Sequence, residues 1–262
     1  MGKHLAGSQK VVTFTLQDWH NRYKQQASWT SEVRSYLLRK IDLQPSDRVL
    51  EVGSGTGVIT RELAKRTNSI TFGGDNDFPR SRFASEYDPK SHFICTDGLK
   101  LPLPNSQFSL TCCHYYLLWI KDQKAAIAEM ARVTKNDGYV MLFAEPDHAA
   151  RIDHPEMFIP YGRIQTDTLV KQGIDPIAGR KIGDLLSACG VQDVEMGQLQ
   201  WQLDKPNFAS ALAEWNVAAE DLLVILSPEQ IKIYLDYEKK SWEESSRIRI
   251  IPTFYAMGKV KK

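Results

Sequence analysis

Val49-Leu50-Glu51-Val52-Gly53-Ser54-Gly55-Thr56-Gly57 is a β-branched, apolar run that stops on three alternating glycines. The turn-forming Gln44-Pro45-Ser46-Asp47 precedes it, and Ile59, Leu63 and a set of charges follow at helical spacing. The segment therefore reads strand, glycine turn, helix. Such a turn lets a ligand approach the backbone, because no Cβ intervenes and positive φ is free. The spacing is G-x-G-x-G, whereas a dinucleotide fingerprint requires glycine at the sixth position, where this chain has Val58. Glu51 adds an acid that disfavours a pyrophosphate and suits a ligand carrying positive charge.

Outward from this turn the chain alternates. Residues 69–74, 92–96, 108–116 and 138–145 read as strands, and 79–87 and 122–134 as helices. Strands that are apolar almost throughout, alternating with helices, predict a parallel sheet covered on both faces. Val33, Tyr36, Leu37 and Ile41 give residues 16–41 the apolar stripe of one N-terminal helix. Residues 147–179 have no sustained period and read as an insertion after the fifth strand. A helix over 180–189 with Gly190 past its end leads into a sixth strand over 191–203. Two helices, 206–226 and 228–242, fill a second insertion over 204–246, the latter with Ser227 as N-cap. Residues 248–260 form the last strand, with Pro252 marking an edge or a bulged entry. The expectation is one α/β domain over 1–262: a Rossmann-like, seven-stranded, mostly parallel sheet with helical insertions after strands five and six.

A net charge of +1 gives no long-range field to recruit nucleic acid or an anionic membrane, so neither is expected as a partner. Cys95, Cys112, Cys113 and Cys189 lack CxxC spacing and read as small buried hydrophobes of a reducing compartment. No apolar leader or run of 18 apolar residues occurs, and a cytoplasmic location is expected.

At four stations, in order over residues 48–146, the chain resembles the class I S-adenosylmethionine-dependent methyltransferases, in particular the methyltransferase-11 small-molecule group. The first is Glu51-x-Gly53-Ser54-Gly55-x-Gly57, which the resemblance places around the methionine moiety and ribose. The second is Asp75, followed by Asn76, at the end of strand two, where the carboxylate takes the ribose hydroxyls. Thr96-Asp97-Gly98 is the third, with Asp97 assigned to the adenine amino group. Residues 129–138, Glu129 to Gly138, match the helix that enters strand five. Two positions depart from the pattern: Asn76 stands where an apolar residue usually lies against adenine, and Ser109 where an Asp usually opens strand four. The resemblance implies S-adenosylmethionine as cofactor, S-adenosylhomocysteine as product, and a small organic acceptor.

In a doubly wound sheet the acceptor lies at the carboxyl ends of the strands. His114, after strand four, is the candidate general base; the alternative is a satisfied core or cofactor-contacting residue. Asp147 and His148, after strand five, form an acid and base pair, or Asp147 caps the following helix. Asp147, His148, Asp153 and His154 offer metal-ligand chemistry without the spacing of a compact zinc site, so no metal is expected. Trp19 and Tyr23 share a helix face; in the resembling family this segment closes over the cofactor, which makes Tyr23 a contact to the methionine end or simple packing. Phe158, Tyr161, Trp215 and Tyr234 form an apolar lid or dimer contacts, in a monomer or a homodimer. Two other readings keep the cofactor: a non-methyl reaction such as cyclisation of its aminobutyrate arm, and a non-catalytic binding subunit.

Overall fold

A computed structural model describes residues 15–199, 222 and 225–262. The chain opens with helices α1 (Leu16–Trp29) and α2 (Ser31–Leu38). Strand β1 (Arg48–Val52), helix α3 (Val58–Thr67), strand β2 (Ile70–Asp75), helix α4 (Phe78–Tyr87) and strand β3 (His92–Cys95) follow. Then come β4 (Phe108–Cys113), α5 (Gln123–Val133) and β5 (Thr134–Pro146). Beyond β5 lie β6 (Ile152–His154), α6 (Ile159–Lys171), α7 (Ala178–Ala188) and β7 (Val191–Gln198). The described chain ends with a helix over Pro228–Glu243, here α8, and strands β8 (Ile248–Ile250) and β9 (Thr253–Val260).

Seven strands form one sheet in the order β3-β2-β1-β4-β5-β9-β7. β1 runs parallel to β2 and β4, while β9 is antiparallel to both β5 and β7. Leu50, Val52, Leu142 and Ile127 pack on one face, where α5 and α7 cover the sheet. Val49, Leu110, Met141 and Leu37 pack on the other, beneath α2 and α3. This is the expected Rossmann-like sheet with helices on both faces. The strand order reverses between β1 and β4, so the ends of these two strands open the crevice where a ligand lies in such folds.

The structure changes four of the local expectations. Residues 16–41 are two helices, because Thr30 leaves helical geometry (φ −110°, ψ 8°) and turns its hydroxyl onto the Gln26 and Ala27 carbonyls. The insertion after β5 contains a strand as well as a helix: β6 pairs antiparallel with β8, nearly a hundred residues later. The last strand is consequently divided at Ile251-Pro252, with β8 in this small sheet and β9 inside the main sheet rather than at its edge. Finally, Cys112 and Cys113 are buried as expected, but Cys95 is exposed. Ser227 caps α8 in a reciprocal box with Gln230. Most of the helix expected over 206–226, the end of the strand expected over 191–203, and Trp215 lie outside the described residues. No helix among the described residues is long and apolar enough to cross a membrane.

Candidate functional site

All three glycines of the turn take positive φ, at +76°, +51° and +77° for Gly53, Gly55 and Gly57, which explains why no side chain occupies these positions. The Gly53 and Ser54 amides donate to the Gly74 carbonyl at 2.8 and 3.0 Å and tie the turn to the end of β2. Asp75 completes the tie: its Oδ2 accepts from the Gly55 amide at 2.7 Å and its Oδ1 from the Asp77 amide at 2.9 Å. An ionised carboxylate has about four acceptor positions, so two remain for the hydroxyls of a ribose.

Glu51 does not face an open cleft. It is buried, accepts from the Thr60 hydroxyl on α3, and burial pushes its pKa up to about 8 against the opposing pull of Thr60 and Arg34. The Ser54 hydroxyl is buried with no hydrogen-bond partner among the described residues. An orphaned polar atom of this kind inside a glycine turn marks a position that a polar ligand satisfies.

Two aromatic rings stand against this turn. Tyr23 of α1 lies so close to Gly55 that a Cβ there would come within 3.0 Å of its ring. Tyr116 packs on both Gly53 and Gly98, and a Cβ on either glycine would overlap its side chain. Tyr23 was legible in the sequence as a helix-face aromatic, whereas Tyr116 was legible only as one of the cluster of residues 113–116 that holds His114. Asp97 and Asn76 are exposed and Gly98 is buried, and the contacts of Gly74, Asp75 and Tyr116 bring the three stations together at the ends of β1, β2 and β3. The Asp97 carboxylate accepts from the Leu99 amide at 2.9 Å.

His114 follows the last residue of β4, with Nε2 2.8 Å from Thr30 Oγ1. Thr30 also accepts from Arg34, whose Nη2 contacts Glu62 at 2.6 Å. Burial first, and the Arg34 charge second, hold the His114 pKa well below 6.5, so its imidazole is neutral at pH 7. Glu145, at the end of β5, is fully buried and accepts from the amides of Tyr116, Leu117 and Leu118 at 3.0, 3.0 and 3.3 Å. Burial pushes its pKa up to about 7. It thereby fixes the turn that carries Tyr116. Nothing in the local sequence pattern distinguishes it from a strand-end acid.

Asp147 lies elsewhere in role. Its carboxylate caps the short turn after β5 through the Ala150 amide at 3.1 Å and pairs with Arg180, 2.8 Å from Nη2. Of the two alternatives for Asp147, this is the geometry of the cap. Burial brings the His148 pKa down to about 4. Asp153 is likewise held, by Arg151 and Arg247, rather than presented as a ligand. Phe158 and Tyr234 pack edge to face with Tyr161 beside them, which joins α6 to α8 in a cluster apart from the sheet core.

A family profile described as a methyltransferase domain matches residues 50–142. A demethylmenaquinone methyltransferase of Corynebacterium urealyticum is 36% identical over 116 residues, 44% of this chain and 47% of that protein. The chain thus spans about half the length of the curated relatives it matches. Among solved structures, the YcgJ protein of Bacillus subtilis superposes with a TM-score of 0.61 at 17% identity, over 88% of this chain and 99% of that one. Phosphoethanolamine N-methyltransferase 2 of Haemonchus contortus, solved with phosphomonomethylethanolamine and S-adenosylhomocysteine, superposes with a TM-score of 0.57 at 16% identity, over 95% of this chain and 60% of that one. The methyltransferase-domain profile thus covers residues 50–142, about a third of the chain, and the fold built around that segment is the one shared with these solved structures.

Proposed function

We propose that this chain transfers a methyl group from S-adenosylmethionine to a small organic acceptor. The observation that carries the reading is the unpartnered Ser54 hydroxyl inside a positive-φ glycine turn that Asp75 holds in place. Ser54 and the backbone of Gly53, Gly55 and Gly57 hold the methionine end, with Glu51 beneath them. Asp75 takes the ribose hydroxyls, and Asn76, Asp97 and Gly98 border the adenine. Tyr23 covers the turn from α1. When bound, the cofactor supplies a methyl carbon activated by its sulfonium.

The protein's share of such a reaction is alignment and exclusion of water, with a base where the acceptor carries a proton. The rings of Tyr23 and Tyr116 exclude water at the turn. In the tautomer that donates from Nε2 to Thr30 Oγ1, His114 keeps an unprotonated Nδ1 to receive a proton. The relative's named substrate makes demethylmenaquinone the first acceptor to test. The experiment is calorimetric titration with S-adenosylhomocysteine, followed by transfer from methyl-labelled cofactor to demethylmenaquinone and to a set of carboxylic acids and amines. Micromolar binding and label in an acceptor are expected. Absence of binding overturns the cofactor reading, and binding with label in no acceptor overturns methyl transfer.

A further inference from the structure

A groove of about 480 Å³ runs between α1, α2 and α3, on a face that none of the turn glycines line. It is as large as an ordinary small-molecule site. Five basic residues and one acid, Glu62, border it, although the whole chain is nearly neutral. Glu62 is already taken by Arg34 at 2.6 Å and Arg66 at 2.7 Å. That leaves Lys24 on α1 and Arg61 and Lys65, one turn apart on α3, without an acidic partner among the described residues. The Arg61 guanidinium is stacked over the Tyr87 ring at 4.5 Å, which fixes its position, and it makes no ion pair among the described residues. Val58 and Ala27 add apolar wall.

Like charges gathered on one groove repel each other, and an exposed protein surface normally disperses them or interleaves acids. Three such cations exceed what one carboxylate neutralises, and lysine with arginine is the pairing that binds phosphate oxygens. We infer that this groove is a binding site for a small, multiply charged phosphate-type anion, held by Lys24, Arg61 and Lys65. The site stands whether or not the glycine turn takes S-adenosylmethionine.

The groove also borders a residue that reports on it. His20 of α1 is buried, with Nδ1 2.9 Å from the hydroxyl of Thr56 in the glycine turn. Its ring packs on Tyr87 and Phe83 of α4, at 4.3 and 5.0 Å between centroids. Burial, then Lys24 on its own helix, then Arg61 on α3 hold its pKa below 6.5. An anion between these two cations weakens that repulsion and moves the His20 titration upward.

The test uses the whole chain with inorganic pyrophosphate as probe, followed by calorimetry and by the nuclear magnetic resonance titration of His20. Saturable binding is expected, weakened at least tenfold in the Arg61→Gln, Lys65→Gln double variant and accompanied in the wild type by an upward shift of the His20 pKa. An unchanged melting temperature and S-adenosylhomocysteine affinity in that variant establish that it is folded. Pyrophosphate binding that does not saturate, or that is equally strong in the folded variant, overturns the inference. Preferential capture of a polyglutamate peptide over pyrophosphate also overturns it, by making the groove a docking surface for an acidic protein.

Discussion

His114 Nε2 and Thr30 Oγ1 lie 2.8 Å apart, and this contact joins the end of β4 to the corner between α1 and α2. The corner exists because Thr30 breaks the helix, so the same hydroxyl that bends the chain also orients the candidate base. If His114 accepts a proton in the reaction, His114→Gln lowers kcat by 10²–10⁴ while S-adenosylhomocysteine affinity changes less than threefold. Thr30→Val loses the orienting contact and gives a smaller fall in kcat. Since the His114 pKa is depressed, the group is already neutral above pH 6.5, and kcat has no rising limb between pH 6.5 and 8 from this residue. Steady-state kinetics across that range checks both statements.

Glu145 holds three buried amides, and its removal has a cost apart from any role in chemistry. Glu145→Ala leaves those three donors without a partner, for a loss of about 3 kcal/mol or more of unfolding free energy. Glu145→Gln keeps an acceptor oxygen and loses less. Denaturant melts of the two variants, compared with the wild type, measure the difference.

The buried glutamates also set a pH dependence. Glu51 and Glu145 have folded pKa values near 8 and 7, above the value of about 4.3 in an unfolded chain. The folded state therefore binds more protons than the unfolded state between these limits, and their contribution falls as pH rises through 7 and 8. His20, His114 and His148 act in the opposite sense: their folded pKa values are depressed, so stability falls as pH drops below 6.5. The protein without cofactor should be most stable near pH 6.5, and Glu51→Gln should flatten the decline between pH 6.5 and 8. Melting temperatures at half-unit pH intervals test this.

Tyr116 packs on two glycines, which makes both intolerant of alanine. Gly53→Ala combines the strain of positive φ with overlap of the Tyr116 ring, and Gly98→Ala meets the Tyr116 hydroxyl and the Val52 side chain without that strain. Both variants should lose S-adenosylhomocysteine affinity at least tenfold, with the greater loss of stability in Gly53→Ala. Pairing Gly98→Ala with Tyr116→Ala relieves the overlap and restores part of the stability, as a double-mutant cycle would show.

Beside the small sheet, just before β8, Arg247 is buried between Asp153, 2.8 Å from Nη2, and Glu238, 2.8 Å from Nε, with its guanidinium over Phe158 at 4.1 Å. Glu238→Ala removes one of the two carboxylates that neutralise this charge, leaving Asp153, and should cost up to about 3–5 kcal/mol in a denaturant melt. Glu238→Asp shortens the reach and should cost less.

By itself the sequence determined the order and type of the elements from β1 to β5, because each is written in local spacing: apolar runs closed by glycines, and stripes at three and four residues. It also carried the glycine turn, whose spacing is local, while the acids Asp75 and Asp97 were singled out by the resemblance to the methyltransferases. Only the tertiary structure decided what these groups touch. Glu51 turns under the strand end onto Thr60, Asp147 is drawn to Arg180, and His114 meets Thr30 across 84 residues of chain. The β6 and β8 pairing and the placement of Tyr116 over Gly53 and Gly98 belong to the same class. These contacts depend on burial and on partners distant in the chain, and burial is what moves the pKa values of Glu51, Glu145 and His114. Local pattern contains neither quantity, so the motif was legible in the sequence while the charge state of its acids and the commitment of its side chains were not.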